Sequence, residues 1–250
     1  MRCLFLRSFF VSLVLVGLLA ASAFAAELHM YAGAGLKIPT DAIIARFETQ
    51  TGAKVNIEYA GMGQLLTRYT TTRVGDVFLS GSQFYVEELK KENLVNASRE
   101  LVFHTPVMVV RKDKAQGINT LEDLAKSGLR IAMGDPEAIA LGKGGQRLME
   151  ASGYGDQLKA KVVVMGSTIK QVLLYVTNGD VDAAIIGRSD AVTDPNLVIL
   201  PTPKGTPQEI SVIAGLTTSK EPELVRQLVD FFASPESIQT FVDHGFLPVQ

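Results

Sequence analysis

The sequence is nearly devoid of cysteine: one, Cys3, occurs in 250 residues, and there is no tryptophan. A single cysteine cannot form an intrachain disulfide. Cys3 also lies too early to be a lipoprotein acylation site, which would follow an apolar segment. Beyond this residue the chain has neither a disulfide framework nor thiolate chemistry. An exported protein of this composition suits a bacterial periplasm.

An excess of positive charge is also missing. Lys and Arg total 24 against 26 Asp and Glu, which gives a net charge of −2. No run of basic residues occurs, so the sequence does not predict binding to nucleic acid or to an anionic membrane.

The N-terminal segment has the organisation of a secretory signal. Arg2 and Arg7 precede an apolar stretch at residues 9–19, and Ala23-Phe24-Ala25 forms an A-x-A cleavage site. We therefore expect residues 1–25 to be a signal peptide and the mature protein to be periplasmic. The alternative is an uncleaved membrane anchor, although the apolar stretch is short for a span.

Enzyme motifs are absent as well. Gly142-Lys143 resembles the end of a P-loop, but Glu137 stands where the first glycine is required and Gly144 replaces the Ser or Thr. There is no G-x-S-x-G and no H-E-x-x-H, and no carboxylate pair suggests acid–base catalysis. The histidines are isolated and are interpreted as capped or surface residues: His29, His104 and His244. The sequence thus predicts no enzyme, no catalytic residue, no metal site and no cofactor.

A repeated unit is present instead: a short strand, a glycine-containing turn and a helix. It occurs first at strands 28–31, 54–59 and 76–79. It recurs at 131–133, where a glycine-rich passage through Gly145 is expected to precede a helix, and at strands 162–165 and 183–186. Such succession predicts an α/β fold with mostly parallel sheets.

The units form two groups, separated by β-rich runs at 103–111 and 209–216. We expect a two-lobed clamshell. Lobe 1 comprises residues 26–105 plus 206–250, and lobe 2 comprises residues 106–205. Ligands of open α/β sheets bind beyond the carboxyl ends of the strands, which here meet at the cleft.

Small residues and backbone N–H donors dominate these strand ends, as at an anion site. Ser167 and Thr168 are helix caps that can also donate to a ligand. Arg188 is either a cleft cation or a surface charge paired with Asp190 or Asp182. The candidate ligand-binding residues are Ala34, Gly35, Gly61, Met62, Gly63, Leu141, Gly142, Ser167, Thr168, Ile169, Gly187 and Arg188.

In order and spacing the chain resembles the periplasmic molybdate/tungstate-binding proteins of ABC importers, which are type II solute-binding proteins with two α/β lobes. The segments that carry the resemblance span nearly all of the predicted mature chain: LHMYAGAGL, FETQTGAKVNIEYAG, DVFLSGSQFYVEEL, RIAMGDPEAIALG, VVVMGSTIKQVLLYVTNGDVDAAIIGRSDA and FFASPESIQTFVDHGFLPV.

The resemblance implies a serine in the first loop, a second serine after strand two and a tyrosine after the strand at 183–186. These positions are Gly35, Met62 and Gly187 here. The backbone donors that it implies in lobe 2 fall at Leu141 and Ile169.

We therefore expect a monomeric periplasmic protein that captures a molybdate- or tungstate-like oxyanion and delivers it to the permease of an ABC importer. The alternative is a binding protein or sensor for another small anion or anionic organic ligand.

Overall fold

A computed structural model describes residues 26–249. The predicted signal peptide lies outside the described residues. Between residues 26 and 249 no helix combines the length and apolarity that a membrane span needs.

The first sheet has six strands in the order β11-β4-β10-β3-β1-β2. Strand β1 pairs in parallel with β2 and β3, whereas β10 runs antiparallel to β3 and β4. The strands are β1 Glu27–Gly33, β2 Lys54–Ala60, β3 Val77–Ser80, β4 Val95–His104, β10 Glu209–Leu216 and β11 Leu247–Pro248.

Helices cover this sheet and with it form lobe 1. In α1, Ile43, Ile44 and Phe47 are buried on one face, and Gly52 ends the helix with a φ of 72°. That left-handed conformation suits glycine. The helices are α1 Lys37–Thr51, α2 Met62–Thr72, α3 Gln83–Lys91, α9 Pro222–Phe232 and α10 Pro235–Asp243.

The second sheet has five strands in the order β7-β6-β8-β5-β9 and belongs to lobe 2. Its strands are β5 Pro106–Arg111, β6 Ile131–Gly134, β7 Val162–Gly166, β8 Ala183–Gly187 and β9 Leu197–Ile199. Its helices are α4 Leu121–Lys126, α5 Ala140–Ala151, α6 Gly155–Lys159, α7 Ile169–Thr177 and α8 Arg188–Ala191.

Both sheets are mixed, so the α/β prediction is confirmed but the expected mostly parallel pairing is wrong. Two antiparallel strands carry the chain into a sheet from the opposite lobe: β5 enters lobe 2 and β10 enters lobe 1. Each runs against the neighbouring strands of its sheet, whereas β4 leaves lobe 1 in the same direction as β3 and is antiparallel to β10. The predicted run 103–111 is the end of β4 followed by β5, with Thr105 between them. The lobe boundaries after residues 105 and 205 stay predictions.

The prediction that the glycine-rich passage through Gly145 precedes a helix is wrong. This passage is not a loop, because α5 already begins at Ala140 and includes Gly142, Gly144 and Gly145, all of them buried. The glycines let the helix approach the sheet. A Cβ on Gly145 would lie 3.0 Å from Ile185 Cγ2, and one on Gly144 would lie 3.1 Å from Pro106 Cγ. Close packing therefore overrides the low helix propensity of glycine.

This packing predicts the effect of a larger side chain in α5. Gly145→Leu should lower the free energy of unfolding by about 1–3 kcal/mol, because the core cannot take the added volume without strain. Urea unfolding measures the change. Glu150→Ala, at an exposed position of the same helix, is the control and should stay within about 0.5 kcal/mol of the parent. Equal stability of Gly145→Leu and the parent would contradict the close packing.

Candidate functional site

The carboxyl ends of strands from both lobes enclose a small cavity of about 30 Å³. That is room for about two water molecules. Lobe 1 supplies the turns after β1, β2 and β3 together with the end of β4, and lobe 2 supplies the first residues of α5 and α7. The lining residues are Gly33, Ala34, Gly35, Leu36, Ala60, Gly61, Met62, Gly81, His104, Ile139, Ala140, Leu141, Thr168 and Ile169.

Three helices begin at this cavity. Gly61 precedes α2 and Ile139 precedes α5, and neither side chain caps its helix. Thr168 precedes α7, and its hydroxyl accepts from Gln171 N in a capping box. The first N–H groups of a helix have no partner within the helix, and the helix dipole adds about half a positive charge there. The cavity therefore lies where three such partial charges converge.

The two lobes touch each other directly beside the cavity. Gly63 N donates to Ala138 O across the lobes at 3.0 Å. A Cβ on Gly61 would lie 2.5 Å from Ser167 O, and its other nearest atoms also belong to lobe 2. The backbones meet this closely only because positions 61 and 63 lack side chains. The structure is therefore a closed form.

Two charged side chains of α5 also reach across to lobe 1. Arg147 forms an ion pair with Glu209 at the start of β10. Lys143 Nζ lies 3.8 Å from the centre of the Phe84 ring, a cation–π contact. Together with the backbone bond at Gly63, these contacts hold the lobes in the closed form.

His104 is the ionisable side chain of the cavity wall, and the interpretation of it as a capped or surface residue is wrong. It is 5% exposed. Neither ring nitrogen has a hydrogen-bond partner of acceptable geometry among residues 26–249. Burial lowers the pKa of His104 to about 4; the charge of Lys170 adds to the lowering, and the Gly81 backbone opposes it. The signal that could have identified it is its position two residues before Pro106, where the chain leaves lobe 1.

Seven of the twelve candidate ligand-binding residues line the cavity: Ala34, Gly35, Gly61, Met62, Leu141, Thr168 and Ile169. Five do not, namely Gly63, Gly142, Ser167, Gly187 and Arg188. Gly63 lies at the seam between the lobes, and Gly142 is packed within α5 against the backbone of Asp135. The hydroxyl of Ser167 donates to Gln171 Oε1 at 2.9 Å, so it is already engaged. Gly187 lies behind the wall, next to His104 and Leu141.

Neither interpretation of Arg188 describes its contact. Its Nη1 donates to the carbonyl of Gly245 at 2.7 Å, which ties α8 of lobe 2 to the C-terminal segment of lobe 1. The surface pairs expected for it are wrong, because Asp190 pairs with Lys170 and Asp182 with Arg130. The local sequence around Arg188 does not indicate a carbonyl partner in the other lobe.

The wall carries no carboxylate among the described residues. Residues 26–249 also contain no group of three or more His, Cys, Asp or Glu side chains that could hold a metal ion. The site thus offers N–H donors and apolar side chains rather than ligands for a cation.

A larger depression of about 590 Å³ lies on the far side of lobe 2. It is lined by the carboxyl end of α7 and by residues beside β9, among them Val176 and Thr177. A helix carboxyl end disfavours an anion. Arg111, the last residue of β5, also lines the depression, but its guanidinium is paired with Asp113. The depression lies away from the three helix N-termini at which the lobes meet, so we assign the ligand site to the small cavity.

Known proteins share both the sequence pattern and the two-lobed architecture. A family profile described as bacterial extracellular solute-binding protein matches residues 28–247. A Haemophilus influenzae protein described only as a binding protein is 51% identical over 228 residues, covering 90% of this chain and 93% of its own length. The molybdate-binding protein ModA of Escherichia coli is 22% identical over 228 residues, covering 88% of each chain.

Among solved structures, the sulfate-binding protein SubI of Mycobacterium tuberculosis superimposes with a TM-score of 0.81 at 16% identity. The match covers 90% of this chain and 88% of that one. At this identity the similarity shows the fold alone, and it confirms the prediction of a two-lobed binding-protein fold.

The contact of Arg188 predicts a structural effect when the side chain is removed. Arg188→Ala should lower the free energy of unfolding by about 1.5–3 kcal/mol, since it deletes a charge-assisted hydrogen bond between the lobes. Urea unfolding measures the loss. Arg226→Ala, which removes an exposed ion pair with Glu223, is the control and should change stability by less than about 1 kcal/mol. If Arg188→Ala instead changes which anion is preferred, the side chain acts at the ligand.

Proposed function

Because the chain belongs to the family of bacterial extracellular solute-binding proteins, we propose that its interlobe cavity binds a small oxyanion of the molybdate, tungstate or sulfate type. The observation that carries the proposal is the composition of the wall: three helix N-termini, one histidine and no carboxylate among the described residues. N–H groups at helix N-termini bind oxyanions, and the helix dipoles favour negative charge.

The apolar side chains of the wall strengthen this effect. Met62, Ile139, Leu141 and Ile169 are each at most 5% exposed and limit the access of water to the cavity. In such surroundings hydrogen bonds to an anion are stronger than in water. The chain itself is slightly acidic, so an anion must be attracted by these local donors rather than by net charge.

The size of the cavity favours a compact ligand. Sites for drug-sized organic molecules measure about 300–1,000 Å³, against about 30 Å³ here. An anionic organic ligand would need the lobes to remain well apart, whereas a single tetrahedral oxyanion needs only a slight parting. The relatives named above, a molybdate-binding and a sulfate-binding protein, are consistent with a ligand of this class.

The proposal extends to transport. We propose that the mature protein works in the periplasm as a monomer, that lobe 2 swings about the crossings between the lobes, and that the closed loaded form delivers the anion to an ABC importer permease in the inner membrane. Hinge closure around a ligand is the usual motion of two-lobed binding proteins. A sensor for a different small anion is the alternative.

A ligand screen tests the anion class. Purified mature protein, mixed separately with molybdate, tungstate, sulfate, phosphate and small carboxylates, is followed by thermal unfolding. A ligand at about 100 times its Kd should stabilise the fold by about 2.7 kcal/mol. We expect stabilisation by a tetrahedral dianion and none by carboxylates. Stabilisation by carboxylates alone would overturn the proposal.

A second test asks whether closure is needed for binding. In Gly61→Ala the added Cβ would collide with Ser167 O, Ile139 and Ala138, all in lobe 2, and would meet nothing as near in lobe 1. The variant should fold but resist closure. Calorimetry should show oxyanion binding weakened by at least about tenfold, about 1.4 kcal/mol, and small-angle scattering should show a larger radius of gyration.

Gly128→Ala is the matched control, because a Cβ at that position meets no atom within 4 Å. It should leave both the Kd and the radius of gyration unchanged. If Gly61→Ala binds the anion as tightly as the control does, the ligand site does not depend on the contact between the lobes.

A further inference from the structure

His104 occupies the point where lobe 1 ends and faces the cavity with a ring that has no partner of acceptable geometry among residues 26–249. It is the last residue of β4, and Pro106 begins β5 in the other lobe. A buried polar group without a hydrogen bond is costly and is retained where it has a use. The ring therefore calls for an explanation that the fold alone does not supply.

Three glycines make the space in which the ring lies. A Cβ on Gly35 would be 3.2 Å from His104 Nε2, and one on Gly187 would be 3.6 Å away. A Cβ on Gly81 would collide with His104 Nδ1, so a side chain at position 81 would displace the ring. The ring thus fills a slot from which neighbouring side chains are missing, with Nδ1 against backbone and Nε2 beside Gly35, a residue of the cavity wall.

The orientation of the ring is fixed from its other side. Its centre lies 5.5 Å from that of Phe246, which in turn lies 5.4 Å from Phe241 in α10. With Phe246 on one side and glycine backbone on the other, the His104 ring has little freedom to turn. A side chain that donates to a ligand needs such a fixed orientation.

The charged groups around His104 are already paired. Lys170 of α7 bonds Asp190 of α8 at 2.5 Å, and Glu209, opposite His104 on β10, pairs with Arg147 of α5. His244 of the C-terminal segment lies against the carbonyl of Thr240. No described carboxylate lines the cavity. The Gly81 backbone favours the protonated ring, but burial outweighs it and keeps the pKa of His104 low.

From this geometry we propose that His104 Nε2 is the side-chain donor to the bound oxyanion and that binding draws a proton from solvent onto its imidazole. The inference rests on the proposed function and deepens it. A neutral imidazole offers one N–H and one bare nitrogen, whereas imidazolium offers an N–H at both positions. An adjacent anion favours the charged ring, which donates to the ligand and cancels part of its charge.

The sign of the pH dependence follows from the pKa of the empty site. Burial holds the pKa of His104 at about 4 without ligand, and the anion raises it. Between those two values the bound state carries more protons than the free state. Affinity should therefore fall by up to about tenfold for each unit of rising pH, and it should level off above the pKa of the bound state.

Calorimetry measures the proton directly. Sulfate and molybdate are titrated into the mature protein near pH 6.5, about the ordinary pKa of imidazole, in buffers of different ionisation enthalpy. The dependence of the measured heat on the buffer gives the number of protons taken up. Sulfate stays a dianion here, so any proton taken up with it is bound by the protein. We expect uptake approaching one proton per anion.

The matched variants are His104→Gln and His29→Gln. Gln keeps an N–H donor but cannot take a proton, so His104→Gln should bind more weakly, without proton uptake and without the fall of affinity with pH. His29 lies on β1, outside the cavity wall, and its variant should behave as the parent does.

Nitrogen NMR of the imidazoles supplies a readout in the unmodified protein and does not depend on how the variants fold. The His104 resonances should change from neutral to protonated on adding sulfate or molybdate. Binding with no proton uptake, or with uptake unchanged in a folded His104→Gln, overturns the inference and leaves the proposed function standing. If none of the oxyanions binds, the proposed function and this inference both fail.

Discussion

The close approach of two backbones at the seam between the lobes is the constraint on which the rest of the structure depends. Gly61 and Gly63 allow lobe 1 to meet Ala138 and Ser167 without side chains between them. This contact brings the start of α2 to the starts of α5 and α7, so that their N–H groups converge on one small cavity. With side chains at the seam, the three helix starts would be separated and would offer only weak, independent anion sites.

The sequence predicts the repeated strand–turn–helix units well, because apolar strands and glycine turns are local signals. Strand β10 occurs at the predicted bounds. Local sequence patterns do not identify glycines that are needed because residues distant in sequence pack against them. In α5 they suggest a loop, yet the helix contains three of them because Ile185 and Pro106 lie against it. The mixed pairing of the sheets likewise depends on how the chain crosses between lobes.

The candidate site divides in the same way. Gly61 is predictable because it directly follows a strand, and Ile169 because the family resemblance implies a backbone donor there. His104 has no motif around it, and the space for its ring is made by glycines distant in sequence. Arg188 cannot be predicted because its partner is a carbonyl of the other lobe. The match to the solute-binding family confirms the predicted resemblance and the prediction that the chain is not an enzyme. The choice of anion stays a prediction, because backbone donors recognise charge and size more than identity.

The contacts that close the lobes have a consequence for the kind of task that the protein performs. The Gly63–Ala138 bond, the Arg147–Glu209 pair and the Lys143–Phe84 contact join the lobes without involving the cavity wall's histidine or any solute. They hold the lobes close together before a solute binds, so a solute that needs them only slightly parted has less conformational work to perform and binds more tightly. The same contacts also make the shape of the protein without solute more similar to its shape with solute bound. Such a balance favours the capture of a scarce solute over reporting its concentration.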